Sequence, residues 1–157
     1  MNYVIFVDSP IGRLSLYSDG EALSGLYMEK REPPGEWVPG EDIAVLKAAA
    51  RQLKEYFTGA RRDFDLPIAH HGTAFQCKVW EHLKSIPCGE TWSYGQLAQR
   101  IRQPTASRAV GLANGRNPVS IVIPCHRVIG SDGSLTGYGG GLERKQWLLE
   151  HERTMRD

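Results

Sequence analysis

The sequence predicts an α+β protein in two parts: residues 1–70 form a small antiparallel sheet with one helix, and residues 71–157 a mainly helical, winged-helix-like domain with a helix-turn-helix. Three observations support this. Apolar residues alternate with period two through the first thirty positions and recur at helical spacing between residues 43 and 57. Beyond residue 72, two Ser/Thr-x-x-Gln boxes mark the starts of short helices.

The alternating runs are Tyr3, Ile5, Val7, then Leu14, Leu16, then Leu23, Leu26, Met28, separated by Ser9-Pro10-Ile11-Gly12 and Asp19-Gly20. This is the pattern of a three-stranded antiparallel meander that turns where Pro and Gly permit it. After a Pro/Gly-rich loop (Pro33, Pro34, Gly35, Pro39, Gly40), Ile43, Leu46, Ala50, Leu53 and Phe57 outline the inner face of an amphipathic helix that stops at Gly59. Residues 66–72 read as a linker.

In the second half, Thr73 with Gln76 and Ser93 with Gln96 match the capping box, in which two orphan backbone amides are satisfied reciprocally, for about 1 kcal/mol each. The first helix carries Phe75, Val79, Trp80 and Leu83 and ends by Pro87 and Gly89. The second carries Tyr94, Leu97, Ala98 and Ile101, and a third starts near Thr105 and ends at Asn114-Gly115. Two short helices joined by a tight connection are the sequence form of a helix-turn-helix. The third helix is built of small residues, Ala106, Ala109, Val110, Gly111 and Ala113, with Arg108 among them. It can approach another backbone closely, whether a second helix or the wall of a DNA groove. Residues 119–123 read as a short buried strand that leads into Pro124-Cys125-His126-Arg127. A Gly-rich loop (Gly137, Gly139, Gly140, Gly141) precedes a last helix with Trp147, Leu148, Leu149 and Glu152.

A chain of 157 residues, 41% hydrophobic and 24% charged, is too apolar to be disordered and has room for one ordinary domain or two small ones. The apolar run at residues 4–7 stops at Asp8, and no stretch approaches the roughly 20 residues that span a bilayer. The expected setting is the cytoplasm, or a nucleoid or nucleus, without a membrane partner. Cys77, Cys88 and Cys125 are odd in number and widely spaced, which favours free thiols over a disulfide framework. Charge is uneven. Residues 1–72 hold 8 Lys and Arg against 11 Asp and Glu, whereas residues 73–157 hold 11 against 7. Residues 91–131 contain Arg100, Arg102, Arg108, Arg116 and Arg127 and no acidic residue. Such a segment suits phosphate contacts, although a merely solvated basic face has the same composition.

Cys125 is the candidate nucleophile, because it closes an apolar run, follows a proline and sits among arginines beside His126. Positive surroundings favour the thiolate, which is the reactive form. A buried cysteine acting only as a small hydrophobe fits the same residues. Adjacent side chains in an extended chain point to opposite sides, so contact between Cys125 and His126 would need a turn or a bridging water.

The run Pro124-Cys125-His126-Arg127-Val128-Ile129 resembles the active-site signature of the O6-alkylguanine-DNA alkyltransferases, the methylated-DNA--protein-cysteine methyltransferases. Ser93-Tyr94-Gly95-Gln96-Leu97-Ala98, Ser107-Arg108-Ala109-Val110-Gly111, Asn117-Pro118, Tyr138-Gly139-Gly140-Gly141 and Trp147-Leu148-Leu149-Glu150-His151-Glu152 follow in the family's order and spacing. Ser9-Pro10-Ile11-Gly12 and the meander are similar to its first domain, so the resemblance extends over nearly the whole chain.

The resemblance implies direct DNA repair by irreversible, single-turnover transfer of an alkyl group from O6-alkylguanine, with O4-alkylthymine as a second candidate substrate, to Cys125. His126 and Glu152 would relay the thiol proton through a water. Tyr94 would donate a proton toward N3 of the leaving guanine, and Asn117 would hold the turn. Arg108 would replace the flipped nucleotide from a helix whose Ala106, Ala109, Val110, Ala113 and Asn114 face the minor groove of double-stranded DNA. Val128, Tyr138 and Gly139 would line the base pocket; some relatives have serine where Gly139 stands. The expected protein is a monomer that uses no cofactor. His70, His71, Cys77 and Cys88 match no standard zinc spacing, and no metal is expected. Two other functions compete. An alkyltransferase-like lesion-binding protein would lack the acceptor cysteine, and a cysteine hydrolase would need neither the helix-turn-helix nor the acid-free basic segment.

Overall fold

The structure, a computed structural model, describes residues 2–28, 35–135, 138 and 140–155. It divides into two compact units, one comprising Met1–His70 with Pro118–Ser120 and the other His71–Asn117 with Ile121–Asp157.

The first unit contains β1 (Asn2–Val7), β2 (Leu14–Ser18), β3 (Leu23–Tyr27), β4 (Trp37–Pro39) and α1 (Ala44–Phe57). The meander is present: β1 pairs antiparallel with β2, and β2 with β3. The sheet has a fourth strand, in the order β3-β2-β1-β4. β4 runs parallel to β1, with Val38 opposite Tyr3, inside what the sequence presents as a Pro/Gly-rich loop. α1 packs on β1, β2 and β3. Its inner face is Val45, Leu46, Ala49, Gln52, Leu53 and Tyr56, so Ala49 and Tyr56 stand where the periodicity points to Ala50 and Phe57. The buried Gln52 is satisfied by Asp65, donating to its carbonyl and accepting from its amide at 2.9 Å each.

Residues 66–72 are not a free linker. Leu23 N donates to Pro67 O at 2.8 Å and Ala69 N to Leu23 O at 2.9 Å. Further along the same strand, Leu26 N donates to Pro118 O at 2.9 Å and Ser120 N to Leu26 O at 3.2 Å. The two short segments cover the outer edge of β3, which would otherwise present unpaired backbone groups. The strand expected at 119–123 is reduced to this one bridge at Val119. Ile121 has φ +71°, a left-handed conformation that costs a β-branched residue about 1–3 kcal/mol and ends any extended run there.

The second unit contains α2 (Ala74–Leu83), β5 (Trp92–Ser93), α3 (Tyr94–Arg100), α4 (Ser107–Gly115), β6 (Val128–Ile129) and α5 (Leu142–Thr154). Both capping boxes close reciprocally, Thr73 with Gln76 and Ser93 with Gln96. α3 and α4 form the expected helix-turn-helix, backed by Val79, Leu83, Leu97, Ile101, Val110 and Leu148, all fully buried. Trp80 Nε1 donates to Ala113 O at 2.9 Å and ties α2 to the end of α4. β5 and β6 pair in parallel, Trp92 opposite Val128 and Ser93 opposite Ile129. This sets the start of α3 beside the residues that follow Arg127. Among the described residues no helix is long and apolar enough to cross a membrane.

Candidate active site

Pro124, with its restricted backbone, opens a single 3-10 turn over Cys125–Arg127. Cys125 N donates to Ile123 O at 2.8 Å and Arg127 N to Pro124 O at 3.0 Å. The nucleophile candidate therefore sits on a tight turn, which supplies the departure from extended chain that a Cys125–His126 partnership requires. Its thiol is in no disulfide and is 4% exposed.

His126 and Glu152 are both fully buried, with Nε2 at 2.8 Å from Oε2. Read from sequence alone, Glu152 near the chain end would pass for a solvated residue; α5 instead carries it inward. Burial opposes the charge on Glu152, but His126 and Arg127 outweigh it and hold the carboxyl well below its ordinary range. Burial pushes the His126 imidazole the other way from Glu152: desolvation lowers it, Glu152 raises it, Arg127 and Lys145 lower it further, and the net direction is downward. A neutral imidazole facing an ionised carboxylate must carry its proton on Nε2. Nδ1 is then the basic nitrogen, and it is buried with no hydrogen-bond partner among the described residues. That orphan lone pair is what a thiol proton, carried directly or by one water, requires.

Two buried cations complete the site, and sequence reasoning missed both. Arg127, expected as a phosphate contact, is 5% exposed and turned inward. Its Nε donates to Glu152 Oε1 at 2.8 Å, Nη2 to Glu152 Oε2 at 2.9 Å and Nη1 to Ile86 O at 2.6 Å. The partner that turns it in lies 25 residues away, so local charge pattern could not reveal it. Lys145 is fully buried and donates from Nζ to Val128 O at 2.6 Å. Burial lowers its pKa, and the charge of Cys125 raises it. The one available signal was position: Lys145 precedes Glu152 by seven residues, two turns along one helical face.

The remaining expected residues are distributed as follows. Tyr94 is half-buried at the start of α3, and a Cβ on Gly111 would lie 3.6 Å from its ring, so the glycine permits α4 to pass close by. Val128 is buried and Tyr138 half-buried, while Gly139 lies outside the described residues. On α4, Arg108 and Ala109 are exposed and Ala106 half-buried at its N-cap. Val110, Ala113 and Asn114, expected against DNA, are 3% exposed or less. Their i, i+3, i+4 spacing puts them on the inner face, opposite Arg108, Ala109 and Leu112. Leu112, 65% exposed, is an outer-face residue that the small-residue pattern did not single out. Arg100, Arg102 and Arg116 are exposed, with the Arg100 guanidinium 4.6 Å from the centre of the Trp92 ring.

The chain matches two families end to end: 6-O-methylguanine DNA methyltransferase, ribonuclease-like domain, over residues 2–70, and 6-O-methylguanine DNA methyltransferase, DNA binding domain, over residues 74–154. It is 49% identical over 156 residues to a methylated-DNA--protein-cysteine methyltransferase of Methanosarcina acetivorans, covering 97% of this chain and 98% of that one. It is 50% identical over 151 residues to a protein of the same name from Mycobacterium tuberculosis H37Rv, covering 94% and 90%. The crystal structure of Mycobacterium tuberculosis OGT in complex with DNA superposes with a TM-score of 0.91 at 47% identity, covering 98% of this chain and 93% of the other. With both halves matched in order and the nucleophile, imidazole and carboxylate gathered in one buried cluster, the chain belongs to the 6-O-methylguanine DNA methyltransferase family.

Proposed function

We propose that this protein repairs DNA directly, by irreversible transfer of an alkyl group from O6-alkylguanine to Cys125. The observation that carries the reading is the Cys125 thiol, in no disulfide, on a tight turn with the adjacent imidazole, whose Nδ1 is unpartnered among the described residues and whose Nε2 is bonded to a buried carboxylate. His126 Nδ1 takes the thiol proton through a water, and Glu152 stabilises the imidazolium that forms. The sulfur lone pair attacks the alkyl carbon, a carbon–sulfur bond forms and the carbon–O6 bond breaks. Its electrons stay with guanine, which Tyr94 helps to discharge by donating a proton toward N3. The product is a thioether, which has no electrophilic carbonyl for water to attack, so no second step restores the thiol.

Double-stranded DNA is the partner this reading requires, and a relative of 47% identity that crystallises with DNA supports it. The exposed face of α4, with Arg108, Ala109 and Ala106, would enter the minor groove, Arg108 holding the vacancy left by the extruded nucleotide. Val128, Tyr138 and Gly139 would border the base, and Asn117 would keep the turn in place. The protein acts as a monomer, without cofactor. A lesion-binding relative without chemistry is the alternative; the presence of Cys125 and of the bonded His126–Glu152 pair favours transfer over it.

The deciding experiment incubates the protein with excess duplex oligonucleotide containing O6-methylguanine, followed by intact-mass and peptide analysis. A gain of one methyl group per active molecule, located on the Cys125 peptide and absent from Cys77 and Cys88, is expected. Repair beyond one equivalent, or binding without any mass change, would refute the reading.

A further inference from the structure

Glu152 is shared. Its Oε2 accepts from His126 Nε2 at 2.8 Å and from Arg127 Nη2 at 2.9 Å, while Oε1 accepts from Arg127 Nε at 2.8 Å. A carboxylate whose only partner were an imidazole in so dry a place would strongly favour the imidazolium, because that proton would complete a buried ion pair. Such a histidine would rest already protonated and could accept nothing from a thiol. Here the carboxylate charge is already matched by a guanidinium held at three points, the third being Ile86 O at 2.6 Å.

We propose that Arg127 is the positioning residue that makes the relay a proton acceptor: by clamping and neutralising Glu152 it leaves the carboxylate able to orient His126 without pre-charging it. The inference rests on the function proposed above and concerns the same site, but its first readout does not depend on activity.

Among the described residues, the other charges around His126 are few. On its own turn are Cys125 and Arg127, and on α5 Glu152 and Lys145. On α2 and the turn after it, Lys78, Glu81 and Lys84 are exposed, and Ile86 contributes only a carbonyl. Lys145 disfavours the imidazolium as Arg127 does. Its Nζ donates to Val128 O, however, and it would remain in place in the variants used for the test.

The test follows the His126 imidazole by NMR titration in Arg127→Gln, which keeps hydrogen-bonding capacity and removes the charge, and in Arg127→Lys, which keeps the charge but lacks the planar fork that holds both carboxylate oxygens and Ile86 O together. Assignment comes from His126→Gln. The His126 midpoint should rise by about one pH unit or more in Arg127→Gln and by less in Arg127→Lys. The acid limb of the rate of transfer from a free O6-alkylguanine base should move upward by the same amounts, whereas a purely structural Arg127 would lower the rate without moving the limb. An unchanged midpoint in folded Arg127→Gln overturns the proposal. If that variant does not fold, an unchanged midpoint in Arg127→Lys does so. Wild-type protein that titrates normally but transfers nothing would instead count against the proposed function and leave the Arg127 result readable.

Discussion

Asn114 and Asn117, three residues apart at the end of α4, each hold one carbonyl of the segment that carries the nucleophile: Asn114 Nδ2 donates to Cys125 O at 3.3 Å and Asn117 Nδ2 to Ile123 O at 2.7 Å. Both side chains are buried. The helix that bears Arg108 on its outer face thus braces the Cys125 turn from its inner one. Each carbonyl keeps a backbone donor, Val128 N on Cys125 O and Cys125 N on Ile123 O, so removing either amide costs one buried hydrogen bond, about 0.5–1.5 kcal/mol. Asn114→Ala and Asn117→Ala should each lower the midpoint of chemical unfolding accordingly and slow methyl transfer. DNA affinity should stay at the wild-type value in both. A loss of DNA affinity in Asn114→Ala would return that residue to the interface.

Arg108 should behave in the opposite way. It is exposed on α4, on the face away from the buried Val110, Ala113 and Asn114. Arg108→Ala should therefore impair repair of duplex DNA while leaving reaction with a free modified guanine unchanged, since only the duplex requires extrusion. Single-turnover rates on the two substrates test this, and equal losses would make Arg108 a residue of the fold.

What the sequence makes legible here is local, and what it hides depends on distant partners. The two capping boxes can be read because donor and acceptor lie three residues apart. Small residues and an arginine on α4 were legible as a pattern, but which of them face outward depends on α2, whose Trp80 bonds to Ala113. Trp37–Pro39 becomes a strand only because β1 lies beside it. An apolar run at 119–123 looks like a strand from any window, and the left-handed Ile121 that breaks it leaves no compositional trace. Cys125, His126 and Glu152 were recoverable from the signature and its spacing. Arg127 stands in that same signature, yet its inward turn follows from a carboxylate on α5.

Salt dependence separates Arg127 from the other arginines of the basic segment. Arg100, Arg102, Arg108 and Arg116 are exposed, whereas Arg127 is committed to Glu152 and Ile86. The logarithm of duplex affinity should fall linearly with the logarithm of salt concentration, by about 0.9 for each phosphate contact. Neutralising Arg100, Arg102 or Arg116 singly should reduce the slope wherever that residue makes a contact. Arg127→Gln should leave the slope unchanged, and a reduced slope there would mean that its guanidinium reaches phosphate.

Acid should destabilise the protein in two stages with the same sign. For His126 the folded value lies below the ordinary 6.5, mainly through burial, so the unfolded chain binds more protons once pH falls below 6.5, and stability declines. For Glu152 the folded value lies below the ordinary 4.5, because His126 and Arg127 outweigh burial, so its contribution is present above 4.5 and is lost as pH falls through and below that value. Urea midpoints measured from neutral pH downward should show a shallow decline followed by a steeper one. His126→Gln should abolish the first stage and keep the second. A flat wild-type profile between neutrality and the carboxylate range would contradict the neutral, buried His126.

Lys145 provides the remaining test, because a fully buried ammonium has a cost that something at the site must offset. Its Nζ bonds to Val128 O at 2.6 Å, and the charge of Cys125 raises its proton affinity against the lowering due to burial. Electrostatic coupling is reciprocal: whatever the thiolate does for the ammonium, the ammonium does for the thiolate. Lys145→Met replaces the charge with an apolar chain of similar length. Exchanging a buried charge for a well-packed apolar side chain is often neutral or stabilising, so the variant should fold and melt no lower than wild type. Reaction of Cys125 with iodoacetamide, followed as a function of pH on the Cys125 peptide, should then require more alkaline conditions than in wild type. Methyl transfer at neutral pH should slow in parallel, and Lys145→Arg should recover part of the loss by restoring the charge. An unaltered pH dependence of Cys125 alkylation in a folded Lys145→Met protein would show that Lys145 serves only to hold the Val128 carbonyl.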